Sequence, residues 1–262
     1  MFSFDQMTNL LTDLTAPVLK AGDVIMEFHR HGVGARTKSD GSPVSEADEA
    51  AEAILLAALA DLAPDIPVVS EENAASHAID PPAVFFLVDP IDGTREFLRT
   101  DGKGAFTVNI GLVIDRRPAF GIVHAPALDR FFAGIVGRGA WETSGGETRQ
   151  IKVRAVPEEG PLAVASRSHR DPQTNAWLDS HGITNTISTG SSVKFGLLAA
   201  GEADVYPRFG PTMEWDTAAG EAVLLAAGGR VACLDGTDFA YGKPAFRNTP
   251  FIAYAGYTGQ AA

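Results

Sequence analysis

The run Val84-Phe85-Phe86-Leu87-Val88-Asp89-Pro90-Ile91-Asp92-Gly93-Thr94 constrains this chain more than any other stretch. Five consecutive apolar residues read as a strand buried on both faces, and the strand empties into two carboxylates three residues apart. Burying Asp89 and Asp92 there costs several kcal/mol each unless positive charge meets them. The Asp-Pro-Ile-Asp-Gly-Thr turn brings two hard oxygen ligands together and can aim a backbone carbonyl, such as that of Ile91, the same way. Carboxylate, carbonyl and water are the ligands magnesium prefers. A polar turn capped by Asp and Gly is the plainer reading, and two further acidic clusters argue against it.

The upstream cluster is Val68-Val69-Ser70-Glu71-Glu72, a short β-branched run ending in acids. The downstream one is Glu214-Trp215-Asp216-Thr217-Ala218-Ala219-Gly220, opening an apolar helical stretch that ends at Gly228-Gly229. Asp216 is expected in the first turn of that helix, where the positive end favours a negative charge. Singly, Asp216 reads as a helix N-terminal acid, and Glu71 and Glu72 as solvated loop acids. Together, three acidic sites at the ends of buried elements point to a polynuclear magnesium centre of the kind that serves phosphoryl hydrolysis.

Glu71-Glu72, Asp89-Pro90-Ile91-Asp92-Gly93-Thr94 and Trp215-Asp216-Thr217-Ala218-Ala219-Gly220 with Gly228-Gly229 resemble the motifs of the inositol monophosphatase superfamily, magnesium-dependent and lithium-sensitive phosphatases. The resemblance runs from about Leu10 to the C-terminus. Within it, Lys38-Ser39-Asp40-Gly41-Ser42-Pro43-Val44, Arg95-Glu96-Phe97, Ser166-Arg167-Ser168-His169, Gly190-Ser191-Ser192-Val193-Lys194-Phe195 and Tyr206-Pro207-Arg208-Phe209-Gly210-Pro211-Thr212 are similar to the CysQ-type 3'(2'),5'-bisphosphate nucleotidases. The last three of these stretches lie outside the shared catalytic core.

At 262 residues with 45% hydrophobic content, the chain can bury a substantial core as one large domain or two closely packed halves. Its single cysteine, Cys233, excludes an internal disulfide, fits a reducing cytosol and is expected as a small buried apolar residue. No basic leader with an apolar core and no apolar run of membrane-spanning length is present, so a cytoplasmic protein is expected. A net charge of −12 argues against a general nucleic-acid surface, so no nucleic-acid polymer is expected as a partner. An anionic substrate must then be met by metal ions and a few local cations rather than by the global field.

Two intimate halves are expected, 1–160 and 161–262. The first opens with a helix whose apolar residues Leu10, Leu14, Val18, Ala21, Ile25 and Phe28 follow helical spacing. Pro17 inside it predicts a kink or a break. A second helix starts near Ser45, with Ser45 and Asp48 as N-cap and N3 of a capping-box-like pair. Thr107–Ile114, the turn Asp115-Arg116-Arg117-Pro118 and Phe120–His124 read as a hairpin. Phe131–Val136 and Gln150–Val153 read as further antiparallel strands. After Pro161, short strands alternate with helices, the mark of a smaller α/β half. The resemblance implies an α+β, α/β fold, a layered α-β-α-β-α sandwich of the inositol monophosphatase/fructose-1,6-bisphosphatase type.

By the same resemblance, one magnesium is held by Glu71, Asp89 and the Ile91 carbonyl, and a second by Asp89, Asp92 and Asp216. A third, weaker ion lies near Glu71, giving two to three ions. Thr94 and Glu71 orient the attacking water and accept its proton, and Asp48 holds the Thr94 hydroxyl. A helix cap is the competing role for Asp48, and a plain turn residue that for Thr94. Gly93, Thr94 and Arg95 offer backbone N–H groups to a phosphate, while Glu71, Ile91, Asp92 and Asp216 also border the substrate. Ser191, Ser192 and Lys194 lie at a helix start, where N–H groups and a lysine can receive the phosphate that is not cleaved. Resemblance puts His169, Ser191, Lys194 and Arg208 around the nucleotide; a surface histidine and a solvated helix lysine are the competing readings. The other histidines, His29, His31, His77, His124 and His181, show no metal spacing.

The implied activity is removal of the 3'-phosphate of adenosine 3',5'-bisphosphate (PAP, with PAPS as a related substrate) to give AMP, a step in sulfur metabolism. Specificity for inositol phosphates or fructose bisphosphate would keep every metal ligand and change only the second-half contacts. A non-catalytic protein on the same fold would be expected to lose a ligand or Thr94, and this chain keeps all of them. A monomer or homodimer, with at most peripheral contact with the inner membrane, completes the expectation.

Overall fold

The apolar run at 84–88 forms the middle of β4 (Val84–Asp92), and its alternation organises the layers of the molecule. Phe86 and Val88 face one core, and Phe85 and Leu87 face another on the opposite side of the sheet. The computed structural model describes residues 2–31, 35–37, 43–99, 104–167 and 170–257.

The first core is roofed by α1 (Phe4–His31) and α2 (Glu46–Leu62). Leu10, Leu14, Val18, Ala21 and Ile25 are all buried there, as their spacing predicts, with Phe28 packed at the margin. Of the kink or break expected at Pro17, the break does not occur. The helix runs through it, with Leu14 and Val18 fully buried on either side; proline removes one main-chain hydrogen bond, and that packing keeps the helix continuous. Ser45 caps α2 as expected, its N–H and hydroxyl donating to Asp48 Oδ2 at 2.7 and 2.6 Å.

Beneath these helices lies a seven-stranded sheet in sequence order: β3 (Val68–Ser70), β4, β5 (Thr107–Ile114), β6 (Arg117–Ala125), β7 (Arg130–Ile135), β8 (Gly139–Ser144) and β9 (Glu147–Ile151). Only β3 and β4 pair in parallel. The expected hairpin is β5–β6, turning at Asp115 and Arg116, both left-handed with φ of 47° and 66°. A small antiparallel pair, β1 (Ala35–Thr37) and β2 (Pro43–Ser45), precedes α2. A second sheet has the order β11 (Thr186–Thr189), β10 (Ala163–Ser166), β12 (Val205–Arg208), β14 (Phe251–Tyr254), β13 (Arg230–Cys233), parallel across its first three strands.

Between the sheets lie α5 (Val193–Ala199) and α6 (Ala218–Ala226), and α4 (Pro172–Ser180) packs outside the second sheet. The result is the α-β-α-β-α sandwich. Strands β1, β2, β8, β13 and β14 were not anticipated, because their short or half-exposed runs carry little periodicity. Cys233 is only half-buried at the end of β13, contrary to expectation, because the strand stops there and Leu234 is exposed. No helix among the described residues is long and apolar enough to cross a membrane.

One packing detail fixes the height of α6. Gly111, Gly121 and Gly134 are cross-strand neighbours on β5, β6 and β7. A Cβ at Gly111 would lie 2.8 Å from both Ala218 Cβ and Ala219 N, one at Gly134 2.7 Å from Val223 Cα, and one at Gly121 would overlap the Ala219 carbonyl. Three side chains missing in a row let the helix rest directly on the sheet, and the turn that precedes it is thereby set over the ends of β4 and β5.

Candidate active site

Asp89 and Asp92 are three residues apart, and in a regular strand they would point to opposite faces. The β4–β5 register shows why they do not. Asp89 pairs with Asn109 and Asp92 with Thr107, so three steps on β4 match two on β5. The extra residue is a bulge at Pro90-Ile91, where proline's missing N–H costs no ladder bond. It turns the Ile91 side chain into the helix-side core and brings Asp92 round to join Asp89.

Asp216 closes the group. Oxygens of Asp89, Asp92 and Asp216 all lie within 4.8 Å of one another. Asp216 is not in the first turn of α6 as expected. It ends a separate 3-10 turn, Glu214–Asp216, where its Oδ2 accepts the Met213 N–H at 2.8 Å and so caps that turn. Glu71 follows β3 and extends its ladder, donating its N–H to the Val88 carbonyl at 3.1 Å. It stands beside Asp89 but outside the tight triad.

Asp89 is buried, and among the described residues neither of its carboxylate oxygens has a hydrogen-bond donor. Burial first, then the charges of Glu71, Asp92 and Asp216, hold its carboxyl well above the usual carboxylate range. Burial, Asp92 and Glu71 do the same to Asp216, opposed by the Met213 N–H and Arg208. A buried carboxylate with no donor, among three others, is costly unless a cation sits among them. Four oxygen donors of this kind suit magnesium, and the residues present fit that ion.

Gly93 follows the pair in the left-handed region, φ 93°, a conformation glycine adopts without strain. It lets the chain turn into α3 (Thr94–Phe97), and the Thr94 hydroxyl donates to the Ile91 carbonyl at 3.3 Å. Asp48 has the helix-capping role at its Oδ2.

Residues beyond Pro161 contribute cations from the ends of their own elements. Lys194 is buried, not solvated: its ammonium donates to the Ser191 carbonyl and lies 5.1 Å from the Tyr206 ring centre. Burial pushes it down to about 8; Arg208 adds to this, while Asp92, Asp216 and Glu96 pull the other way. Arg208 ends β12, also buried, donating Nη2 to the Pro211 carbonyl at 2.9 Å, with no partner for its Nε among the described residues. Ser191 is buried with a left-handed φ of 51°. Arg167, just past β10, reaches Glu96 at 3.5 Å. His169 lies outside the described residues.

The sequence did not single out Asn109 or His77 for the site, and it offered Ser192 only at a phosphate-receiving helix start. Asn109, on the strand beside Asp89, donates Nδ2 to Ser192 Oγ at 3.0 Å. Ser192 Oγ is in turn 2.7 Å from Asp92 Oδ2 and from the Asp216 carbonyl. His77 stacks on Trp215, ring centres 4.7 Å apart, and its Nε2 is 2.8 Å from the Ser70 carbonyl, tying the Glu71 loop to the Asp216 turn. An asparagine amid the apolar residues of β5 was the one available signal.

A profile of the inositol monophosphatase family matches residues 6–257. The 3'(2'),5'-bisphosphate nucleotidase CysQ of Salmonella typhimurium is 44% identical over 234 residues, 84% of this chain and 89% of that protein. The crystal structure of CysQ from Bacteroides thetaiotaomicron superposes with a TM-score of 0.79 at 33% identity, covering 96% of this chain and 98% of the other. An inositol monophosphatase from Anabaena superposes with a TM-score of 0.76 at 26% identity, covering 96% and 92%. The chain belongs to the inositol monophosphatase family.

Proposed function

We propose that this protein is a magnesium-dependent 3'(2'),5'-bisphosphate nucleotidase that hydrolyses the 3'-phosphate of adenosine 3',5'-bisphosphate to give AMP and inorganic phosphate. The observation that carries the reading is Asp89, a buried carboxylate with no donor at the centre of an acidic cluster. The 44% identity to a CysQ nucleotidase supports the choice of substrate.

Glu71, Asp89, Asp92, Asp216 and the Ile91 carbonyl would hold two to three magnesium ions. When bound, magnesium neutralises charge on the phosphoryl oxygens and the departing alkoxide and makes water a better nucleophile. We assign to Thr94 Oγ1 and Glu71 the positioning of the attacking water and acceptance of its proton. Asp48 supports that corner from its place at the α2 cap. The backbone at Gly93 and Thr94 lines the reacting phosphate, and the P–O3' bond breaks as the nucleoside 3'-oxygen takes up a proton. Lys194, Arg208, Ser191 and His169 are assigned to the rest of the nucleotide, with Lys194 and Arg208 meeting the 5'-phosphate that stays on the product. A desolvated ammonium and a half-satisfied guanidinium both gain from an anion.

Phosphate release from adenosine 3',5'-bisphosphate, inositol 1-phosphate and fructose 1,6-bisphosphate, with magnesium present, tests the assignment. The nucleotide should lead by at least about tenfold in kcat/KM, on the order of 1.4 kcal/mol of transition-state binding. A better rate on inositol 1-phosphate would overturn the nucleotide reading and leave the phosphatase reading standing.

A further inference from the structure

We infer that Ser192 and Asn109 form a positioning relay that ties Asp92 to Asp216 and sets how tightly the acidic cluster takes its cation; this rests on the metal reading above. Four elements meet at the Ser192 hydroxyl. Ser192 precedes α5, Asn109 lies on β5, Asp92 ends β4, and Asp216 precedes α6. All the contacts are short: 3.0 Å from Asn109 Nδ2, and 2.7 Å to both Asp92 Oδ2 and the Asp216 carbonyl. Ser192 and Asn109 are buried, so water does not compete for these bonds.

The donor arithmetic fixes the direction of the relay. An amide NH2 only donates and a hydroxyl carries a single proton. Ser192 Oγ therefore accepts from Asn109 and has its own proton for Asp92 or for the Asp216 carbonyl. A hydrogen bond to a carboxylate is the stronger of the two, so Asp92 is anchored through its Oδ2 while its other oxygen takes no part in this bond. The backbone of Asp216 is held to the same hydroxyl. Two carboxylates from separate halves of the chain thus share one reference point, which keeps their oxygens convergent before a cation arrives. Partners that orient ligating side chains affect metal affinity about as much as 10–100-fold when lost.

The test is equilibrium binding of Mn2+, followed by the loss of its free-ion electron paramagnetic resonance signal, to the nucleotide-free protein. Wild type, Ser192→Ala, Asn109→Ala and the double variant are compared, each checked for folding by circular dichroism. Ser192→Ala should weaken the tightest Mn2+ site about tenfold. Asn109→Ala should weaken it by a smaller factor, and the double variant should be no worse than Ser192→Ala alone, since the asparagine acts only through the serine. In turnover at saturating nucleotide, the magnesium concentration for half-maximal rate should rise by the same factor. Unchanged Mn2+ affinity in folded Ser192→Ala, or losses that multiply in the double variant, would overturn the relay while leaving the nucleotidase reading intact. If Ser192→Ala does not fold, Asn109→Ala alone decides, and unaltered affinity there refutes the inference. Failure of the wild type to bind Mn2+ would overturn the relay and the metal reading together.

Discussion

Lys194→Met separates the two phosphates of the proposed substrate. The ammonium is buried at the head of α5, held by the Ser191 carbonyl against the Tyr206 ring, and held down to about 8 by that burial. Methionine keeps the apolar stem over the ring and removes only the charge. If Lys194 meets the 5'-phosphate, the lost charge-assisted contact is about 1.5–3 kcal/mol. That converts to about tenfold to hundredfold in kcat/KM on adenosine 3',5'-bisphosphate. Adenosine 3'-monophosphate has no 5'-phosphate to lose, so its hydrolysis should change less than about threefold. Removing a cation that faces Asp92 and Asp216 should not weaken magnesium binding, and the comparison is made at saturating magnesium. Equal losses on both substrates would refute the division of labour and place Lys194 in support of the cluster itself.

Two further outcomes follow from the buried surroundings of α6. Burial raises the Glu221 carboxyl from 4.5 to about 8, against the Tyr241 hydroxyl that donates to it at 2.5 Å and the Lys243 and Arg117 charges that lower it. Between those values the folded chain holds a proton that the unfolded chain has released, so stability should fall as pH rises from about 4.5 to about 8. The decline is on the order of 5 kcal/mol at most. Glu221→Gln should flatten it in urea unfolding at pH 5 and pH 8.5, and an identical slope in wild type and variant would refute the assignment. Gly111→Ala puts a Cβ 2.8 Å from Ala218 Cβ and Ala219 N, so the start of α6, two residues past Asp216, must lift. The overpacking should cost about 1–3 kcal/mol in thermal unfolding and raise the magnesium requirement; a variant with both unchanged would show that the glycine row does not set the height of α6.

The acidic cluster was legible because its carboxylates sit where apolar runs end, and a carboxylate at such an end needs a partner. Asp89, Asp92 and Asp216 do converge. The means of convergence was not legible. The bulge at Pro90-Ile91 is a property of β5 as much as of β4, and no local pattern on one strand reports its partner's register. The glycine row has the same cause: Gly111, Gly121 and Gly134 become neighbours only through pairing. The first helix and the β5–β6 hairpin declared themselves by period and turn residues. Asp216 was misplaced by one element, because a capped 3-10 turn and a helix N-terminus both favour an early acid. Lys194 was expected at the nucleotide with a solvated helix charge as the competing reading, and its burial beside Tyr206 excludes the latter. Asn109 was missed, and Ser192 was read only as part of a phosphate-receiving helix start, because what joins them is one contact spanning 83 positions of sequence.

The account rests on Asp89 as the carboxylate around which magnesium assembles, and Asp89→Asn tests it most directly. An amide there removes the charge between the acids of the cluster while relieving a costly burial, so the variant should fold and be at least as stable as wild type in chelator. Magnesium-dependent phosphate release from adenosine 3',5'-bisphosphate should fall to background in the variant, and in the wild type on adding excess chelator. Turnover near the wild-type rate by folded Asp89→Asn, or wild-type activity undiminished in chelator, would contradict the metal mechanism.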